Sequence, residues 1–115
     1  MKMQNVVNGP QNVSSIILGC MRMPALSVDE AAKMISCAAE LGINFYDHAT
    51  VYGEGEAETR FGDAFPLTGL KREDVILQSK CGLHFDRGEF DWTQGTGSSR
   101  LYRRPEVLFA FRGLF

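Results

Sequence analysis

The feature that most constrains the fold is an alternation of short apolar runs with segments of helical periodicity. The apolar runs lie at residues 13–18, 43–47 and 75–80, and the helical segments at residues 27–42 and 54–65. Such alternation is typical of α/β proteins, because each helix carries the chain back across the sheet to start the next strand. The linkers are too short for anything but parallel crossovers. We therefore predict an α/β fold with a parallel sheet.

The two helical segments have clear start and stop signals. Ser27 is followed three residues later by Glu30, which predicts a capping box, and Gly42 is a typical stop. In the second segment Pro66 marks the end. These signals predict one helix before the 43–47 run and one helix after it in the chain.

The chain begins with a polar stretch that predicts a hairpin. Residues 6–7 and 13–18 read as two strands, joined by the turn residues Asn8-Gly9-Pro10. The second piece is largely apolar and ends at Gly19, as expected for a strand buried on both faces.

Composition narrows the class of protein. With 115 residues, 44% of them hydrophobic, the chain suits one small globular domain. A net charge of −2 indicates neither nucleic acid nor membrane as a partner. No apolar run approaches the ~18–20 residues of a membrane span, and residues 1–12 lack the apolar core of a signal peptide. The three cysteines (Cys20, Cys37 and Cys81) show no C-x-x-C spacing and read as free thiols, so we expect a cytoplasmic protein.

Three residues at predicted strand ends have chemical potential as a group. Asp47 ends the second strand, Tyr52 follows in the loop, and Lys80 ends the third strand. Neighbouring strands lie ~4.8 Å apart, so Asp47 and Lys80 are expected within reach of each other. A free tyrosine titrates near pKa ~10, and a nearby ammonium stabilises the phenolate and so improves the proton donor. Taken singly, each residue is more often a turn, cap or solvated residue.

The same residues carry a family resemblance. "LGINFYDHATVYGEGEAETRFGDAF" followed by "VILQSKCG" resembles the N-terminal part of the aldo-keto reductases, which are (β/α)8 barrels that use NADPH. The shared pattern is an acid-bearing strand end, a Tyr-Gly pair, a downstream Glu (Glu56 or Glu58 here), a helix Gly and a Lys closing the third strand. The polar hairpin is similar to the one that plugs the bottom of the family's barrel.

The resemblance implies a fold and a site. The fold is the N-terminal portion of a (β/α)8 TIM barrel with a leading β-hairpin, truncated after about three strands. Asp47, Tyr52 and Lys80 correspond to three members of the catalytic tetrad. The resemblance also implies that Gly19, Cys20, Met21 and Asp47 are cofactor-binding positions. The implied cofactor is NADPH, most of whose site lies in later strands, and the implied partner is a small-molecule carbonyl substrate.

Three residues depart from the family pattern or adjoin it. His48 stands where the family has a small residue, and we interpret it as packed or hydrogen-bonded rather than catalytic. His84 comes only four residues after Lys80, too early for the fourth tetrad member, a His ending the next barrel strand. Cys81 could be a reactive thiol beside a cationic group, although a buried structural role is favoured.

The last segment differs from the rest in charge and composition. Residues 1–93 carry 8 basic and 13 acidic side chains, whereas residues 94–115 carry four arginines against Glu106 alone. With an extra nucleotide after the Thr93 codon, the codons that follow can be reread as Lys-Glu-Gln-Val-Leu-Gln, a plausible helix start. We predict a boundary at residue 94 with a frameshifted tail; the alternative is a genuine basic segment for RNA or an acidic partner.

Two functions remain open from the sequence. The first is NADPH-dependent reduction of an aldehyde or ketone, as the function of a complete barrel; the chain as given is expected to be incomplete and inactive alone. The second is a non-catalytic barrel fragment that binds a partner or completes a barrel with another chain.

Overall fold

The computed structural model describes residues 1–80, which form a small hairpin followed by a β-α-β-α-β unit. The strands are β1 (Met3–Gln4), β2 (Val13–Ser14), β3 (Leu18–Gly19), β4 (Phe45–Asp47) and β5 (Ile76–Gln78), and the helices are α1 (Val28–Glu40) and α2 (Glu56–Ala64). The predicted α/β class and element order are confirmed. The predictions for Cys81, His84 and residues 94–115 lie outside the described residues.

The sheet of the β-α-β-α-β unit is parallel, with strand order β3-β4-β5. Gly19 lies opposite Asp47, and Asp47 lies opposite Gln78. The carboxyl ends of the three strands therefore meet in one row, as predicted. Within residues 1–80 the sheet is open, with β3 and β5 at its edges.

Helix α1 begins as its sequence predicts. Ser27 Oγ accepts a hydrogen bond from the backbone of Glu30, and the Glu30 carboxylate accepts one from the Ser27 backbone at 2.8 Å. These bonds satisfy two backbone donors that a helix start leaves open. They also hold the pKa of Glu30 below its ordinary value, chiefly through the backbone N–H of Ser27. Gly42 follows the helix with φ 82°, a left-handed conformation that favours glycine.

The core lies between the sheet and the two helices. Tyr46 on β4 is fully buried, its ring centroid lies 5.2 Å from that of Phe61 on α2, and its hydroxyl donates to Ile35 O on α1 at 3.3 Å. Burial raises the pKa of Tyr46 to about 12. Phe61 packs in turn on Phe65, and burying each such ring contributes roughly 1.5–3 kcal/mol. One residue of β4 thus ties both helices to the sheet. Neither α1 nor α2 combines the length and apolar character needed to cross a membrane.

The β1–β2 hairpin docks at the amino end of β4 through Asn44. Asn44 Oδ1 accepts from Ser14 N at 2.9 Å, and Asn44 Nδ2 donates to Asn12 O at 2.8 Å. The backbone carbonyl of Asn44 also accepts from Ile76 N at 2.7 Å. The hairpin therefore sits at the opposite end of β4 from Asp47.

Two details of the predicted hairpin are wrong. Residues 6–7 belong to the turn, where Val6 N donates to Pro10 O at 3.1 Å, and the first strand is β1 instead. The run 13–18 is two strands, because Ser14 Oγ donates to Ile16 O and turns the chain from the hairpin into the parallel sheet. Ile16 and Ile17 are 55% and 49% exposed, so this run is not buried on both faces.

Candidate active site

Asp47 and Lys80 form an ion pair at the carboxyl edge of the sheet. Lys80 lies two residues beyond β5, and its Nζ is 2.6 Å from each carboxylate oxygen of Asp47. Gln78 Nε2 donates to the same carboxylate at 3.0 Å. The side chains of Lys80 and Asp47 are 48% and 23% exposed. A partly exposed pair contributes about 1 kcal/mol or less to stability, so its main effect is to fix the position of the ammonium.

Tyr52 lies beside this ammonium. Lys80 Nζ is 5.2 Å from the centroid of the Tyr52 ring, and Tyr52 is half-buried. Partial burial alone would lower the pKa of Lys80. The hydrogen bond and charge of Asp47, together with Tyr52, outweigh this effect, and the pKa of Lys80 is raised. The structure thus brings together all three residues that the sequence singled out as catalytic.

The turn that carries Tyr52 depends on glycine. Tyr52 N donates to Ala49 O at 2.9 Å, and the next residue, Gly53, adopts φ 59°. A Cβ on Gly53 would lie 2.6 Å from Cγ of Pro24, in the loop after β3. Both the left-handed backbone and the close approach of Pro24 therefore require glycine at this position.

The loop after β4 also contacts Lys80 through its backbone. Lys80 Nζ donates to His48 O at 2.9 Å. The carbonyl of Lys80 accepts from Thr50 N at 3.0 Å and from Thr50 Oγ1 at 3.3 Å. Lys80 is therefore held at both its side chain and its main chain by residues that immediately follow Asp47.

His48 is packed, as the sequence predicted. Its side chain is fully buried, and its ring meets that of Phe61 edge-on, with centroids 4.9 Å apart. Burial lowers the pKa of His48 to about 4; Asp47 acts against this shift and Lys80 adds to it. At neutral pH the imidazole is uncharged and forms part of the core between the sheet and α2.

The predicted cofactor-binding positions after β3 differ in exposure. Gly19 is exposed, and nothing lies within 4 Å of where its side chain would begin. Met21 is 56% exposed, whereas Cys20 is fully buried. Burial and the charge of Asp47 raise the pKa of the Cys20 thiol to about 12. Cys20 N donates to Asp47 O at 2.9 Å, and the buried Cys20 thiol donates to Leu18 O at 3.6 Å.

A second acid supports the site from α2. Glu58 is buried and accepts a hydrogen bond from Ser79 Oγ, next to Lys80. The sequence pattern left Glu56 and Glu58 as alternatives; Glu58 makes this contact, and Glu56 is exposed. Three further partners at this edge, Ser79, Thr50 and the amide of Gln78, are not predicted from the sequence. Their one signal was a position within three residues of a predicted strand end.

The arrangement is suited to moving a proton. It places a phenol, an ammonium and a carboxylate in sequence at an accessible edge of the sheet. The carboxylate keeps the ammonium charged and in place. A phenol in such surroundings can act as a general acid or base.

The chain is similar to known proteins over most of its length. The model of the Aldo/keto reductase family matches residues 15–104. This chain is 36% identical over 81 residues to the uncharacterized oxidoreductase YqkF of Bacillus subtilis (strain 168). The match covers 70% of this chain and 25% of that protein. This chain is also 31% identical over 104 residues to the aldo-keto reductase yakc [NADP(+)] of Schizosaccharomyces pombe. That match covers 87% of this chain and 28% of the relative.

A probable voltage-gated potassium channel subunit beta of Arabidopsis thaliana is 38% identical over 55 residues, covering 48% of this chain and 17% of that protein. The chain spans between 17% and 28% of the length of these curated relatives.

Proposed function

The chain belongs to the aldo/keto reductase family, and from that premise we propose that it supplies the proton-donor end of a reductase barrel that converts aldehydes or ketones to alcohols with NADPH. The observation that carries the proposal is the Asp47–Lys80 ion pair beside Tyr52. The name of the yeast relative, which includes NADP(+), supports the choice of cofactor.

Each residue has a distinct part in the proposal. Tyr52 donates a proton to the carbonyl oxygen of the substrate. The ammonium of Lys80 stabilises the phenolate that remains, and Asp47 holds that ammonium with two 2.6 Å contacts. In the reverse direction the phenolate takes the proton back. Asp47 and Lys80 therefore act through Tyr52, the only one of the three that transfers the proton.

The described residues suit one edge of a NADPH site. Bound NADPH supplies a hydride to the carbonyl carbon. Gly19 lies opposite Asp47 with open space beside its backbone, and Met21, two residues further along the chain, is exposed. Both residues would contact NADPH at this edge of the sheet. Cys20 would contribute only its backbone, because its thiol is buried. The remaining contacts belong to later parts of a family barrel.

The test is carbonyl-dependent oxidation of NADPH by the purified chain, with cofactor binding followed by fluorescence. Tyr52→Phe should abolish turnover while leaving NADPH binding intact. Tyr46→Phe is the matched control: it removes a hydroxyl that bonds to Ile35 O in the core, and should leave turnover in place. If the wild-type chain turns over and Tyr52→Phe does so equally, Tyr52 does not have this role.

A second candidate is a non-catalytic fragment that binds a partner or completes a barrel with another chain. It is favoured by β3 and β5, which are edge strands within residues 1–80, and by the exposed side chains of Ile16 and Ile17. Unpaired edge strands beside apolar surface favour association. A defined complex in sedimentation experiments, without NADPH binding, would support this function over the first.

We also propose a boundary at residue 94, with residues 1–93 as the family-like part and residues 94–115 as an out-of-frame tail. The support is the change of charge and composition at that point. Sequencing the gene from the Lys80 codon onward tests this directly. Loss of one base with a continuing open frame is the expected result, and a frame that stands as given would contradict it.

A further inference from the structure

The backbone carbonyl of His48 is a hydrogen-bond acceptor for the side chain of Lys80. The ammonium has three N–H donors. The two oxygens of Asp47 lie 2.6 Å from it and His48 O lies 2.9 Å from it. A carboxylate at the end of a rotatable side chain fixes a distance, whereas a carbonyl of the main chain also fixes a direction.

The direction of that carbonyl depends on how the His48 peptide is held. On one side, His48 N donates to Gln78 O on β5 at 2.7 Å. On the other, the fully buried imidazole packs edge-on against Phe61 of α2 at 4.9 Å. The residue is thus fixed to the neighbouring strand by its main chain and to the helix by its ring.

We propose that His48 is a positioning residue for Lys80, in which the ring packed on Phe61 orients the His48 carbonyl toward the ammonium. This role depends on the shape of the neutral imidazole ring and requires no change in its protonation. The inference rests on the proposed function for its consequence, since a displaced ammonium would no longer support Tyr52. Its physical content, the link from Phe61 through His48 to Lys80, can be measured without turnover.

Competitive labelling of lysines in the full chain provides that measurement. The chain has four lysines, and Lys2, Lys33 and Lys71 serve as internal references for Lys80. An amine reagent modifies only the unprotonated form, so labelling over an alkaline pH series, read by mass spectrometry, gives the pKa of each lysine. In the wild-type chain Lys80 should be the least reactive.

Two truncations should release Lys80. His48→Ala and Phe61→Leu break the link at different residues, and neither removes an atom that touches the ammonium. Loss of one hydrogen bond to this half-exposed ammonium would increase the unprotonated fraction of Lys80 by about two- to tenfold, with unchanged reference lysines. His48→Phe restores a ring of similar shape and should return the labelling of Lys80 to that of the wild type.

A matched core variant separates positioning from general loosening. Phe65→Leu removes a buried ring that stacks on Phe61 at 5.6 Å, one ring further from His48. It should lower the unfolding temperature as Phe61→Leu does and leave Lys80 labelling unchanged. If His48→Ala does not fold, the comparison of Phe61→Leu with Phe65→Leu decides alone. The inference is wrong if Lys80 responds equally to these two, or if His48→Phe fails to restore it. Either result leaves the Tyr52 turnover test unaffected.

Discussion

Replacement of Gly53 by alanine tests whether the turn that carries Tyr52 is held by the loop after β3. Gly53 has φ 59°, and an L-residue in the left-handed region costs roughly 1–2 kcal/mol. The added Cβ would also lie 2.6 Å from Cγ and 3.2 Å from Cβ of Pro24. Something must shift, and overpacking of this kind costs about 1–3 kcal/mol. The two costs predict a loss of about 2–5 kcal/mol in the free energy of unfolding.

Gly69→Ala is the matched control for this change. Gly69 follows the turn after α2 with φ 73°, and nothing lies within 4 Å of the new Cβ. It carries the backbone cost alone, about 1–2 kcal/mol. Urea unfolding, monitored by far-UV circular dichroism and fitted with one m-value for all variants, measures the free energy of unfolding of both variants. Equal losses at the two positions would show that Pro24 yields freely, and would refute the claim that it braces the Tyr52 turn.

Three further results are expected. Glu30→Gln should reduce stability at neutral pH. A depressed carboxyl pKa adds stability that is fully present above the ordinary value of 4.5, so the difference from the wild type should shrink below 4.5 and vanish as the pH falls through the lowered pKa of Glu30. Urea unfolding at several pH values checks this, and a constant difference would contradict it. Cys37 is exposed and should react with a maleimide in the native chain. Cys20 is buried, with its pKa raised to about 12, and should react only after unfolding. Peptide mapping distinguishes the two cysteines, and labelling of Cys20 in the native chain would contradict its burial. Asp47→Asn should lower the pKa of Lys80 in an NMR titration. The stability that the ion pair adds should be present below pH 10.5, the ordinary pKa of lysine, and lost as the pH rises through the raised pKa of Lys80. An unchanged Lys80 titration would contradict the pairing.

The parts of the fold that depend on local signals could be predicted from the sequence. The capping box of Ser27 and Glu30 uses atoms three residues apart, so its pattern is visible in the chain itself. The proximity of Asp47 and Lys80 also followed, because ends of neighbouring parallel strands share an edge. The catalytic roles of these residues stay predictions.

The parts that depend on distant backbone groups could not be predicted. Val6 and Val7 have strong strand propensity, yet they lie in the turn because the hairpin register is set elsewhere. Asn44 joins the hairpin to β4 through partners about 30 residues away. His48 contacts Lys80 through a main-chain oxygen, which every residue type carries and no sequence pattern marks.

The contacts that hold Lys80 have a consequence for biosynthesis. Asp47, His48 and Thr50 all precede Lys80 in the chain, the first by 33 positions. Each partner is therefore already outside the ribosome when Lys80 emerges, and N-terminal units generally fold first during translation. The ammonium can therefore be bound on the nascent chain before any later residue emerges. In this architecture the electrostatic surroundings of the tyrosine are among the first features of the molecule to form.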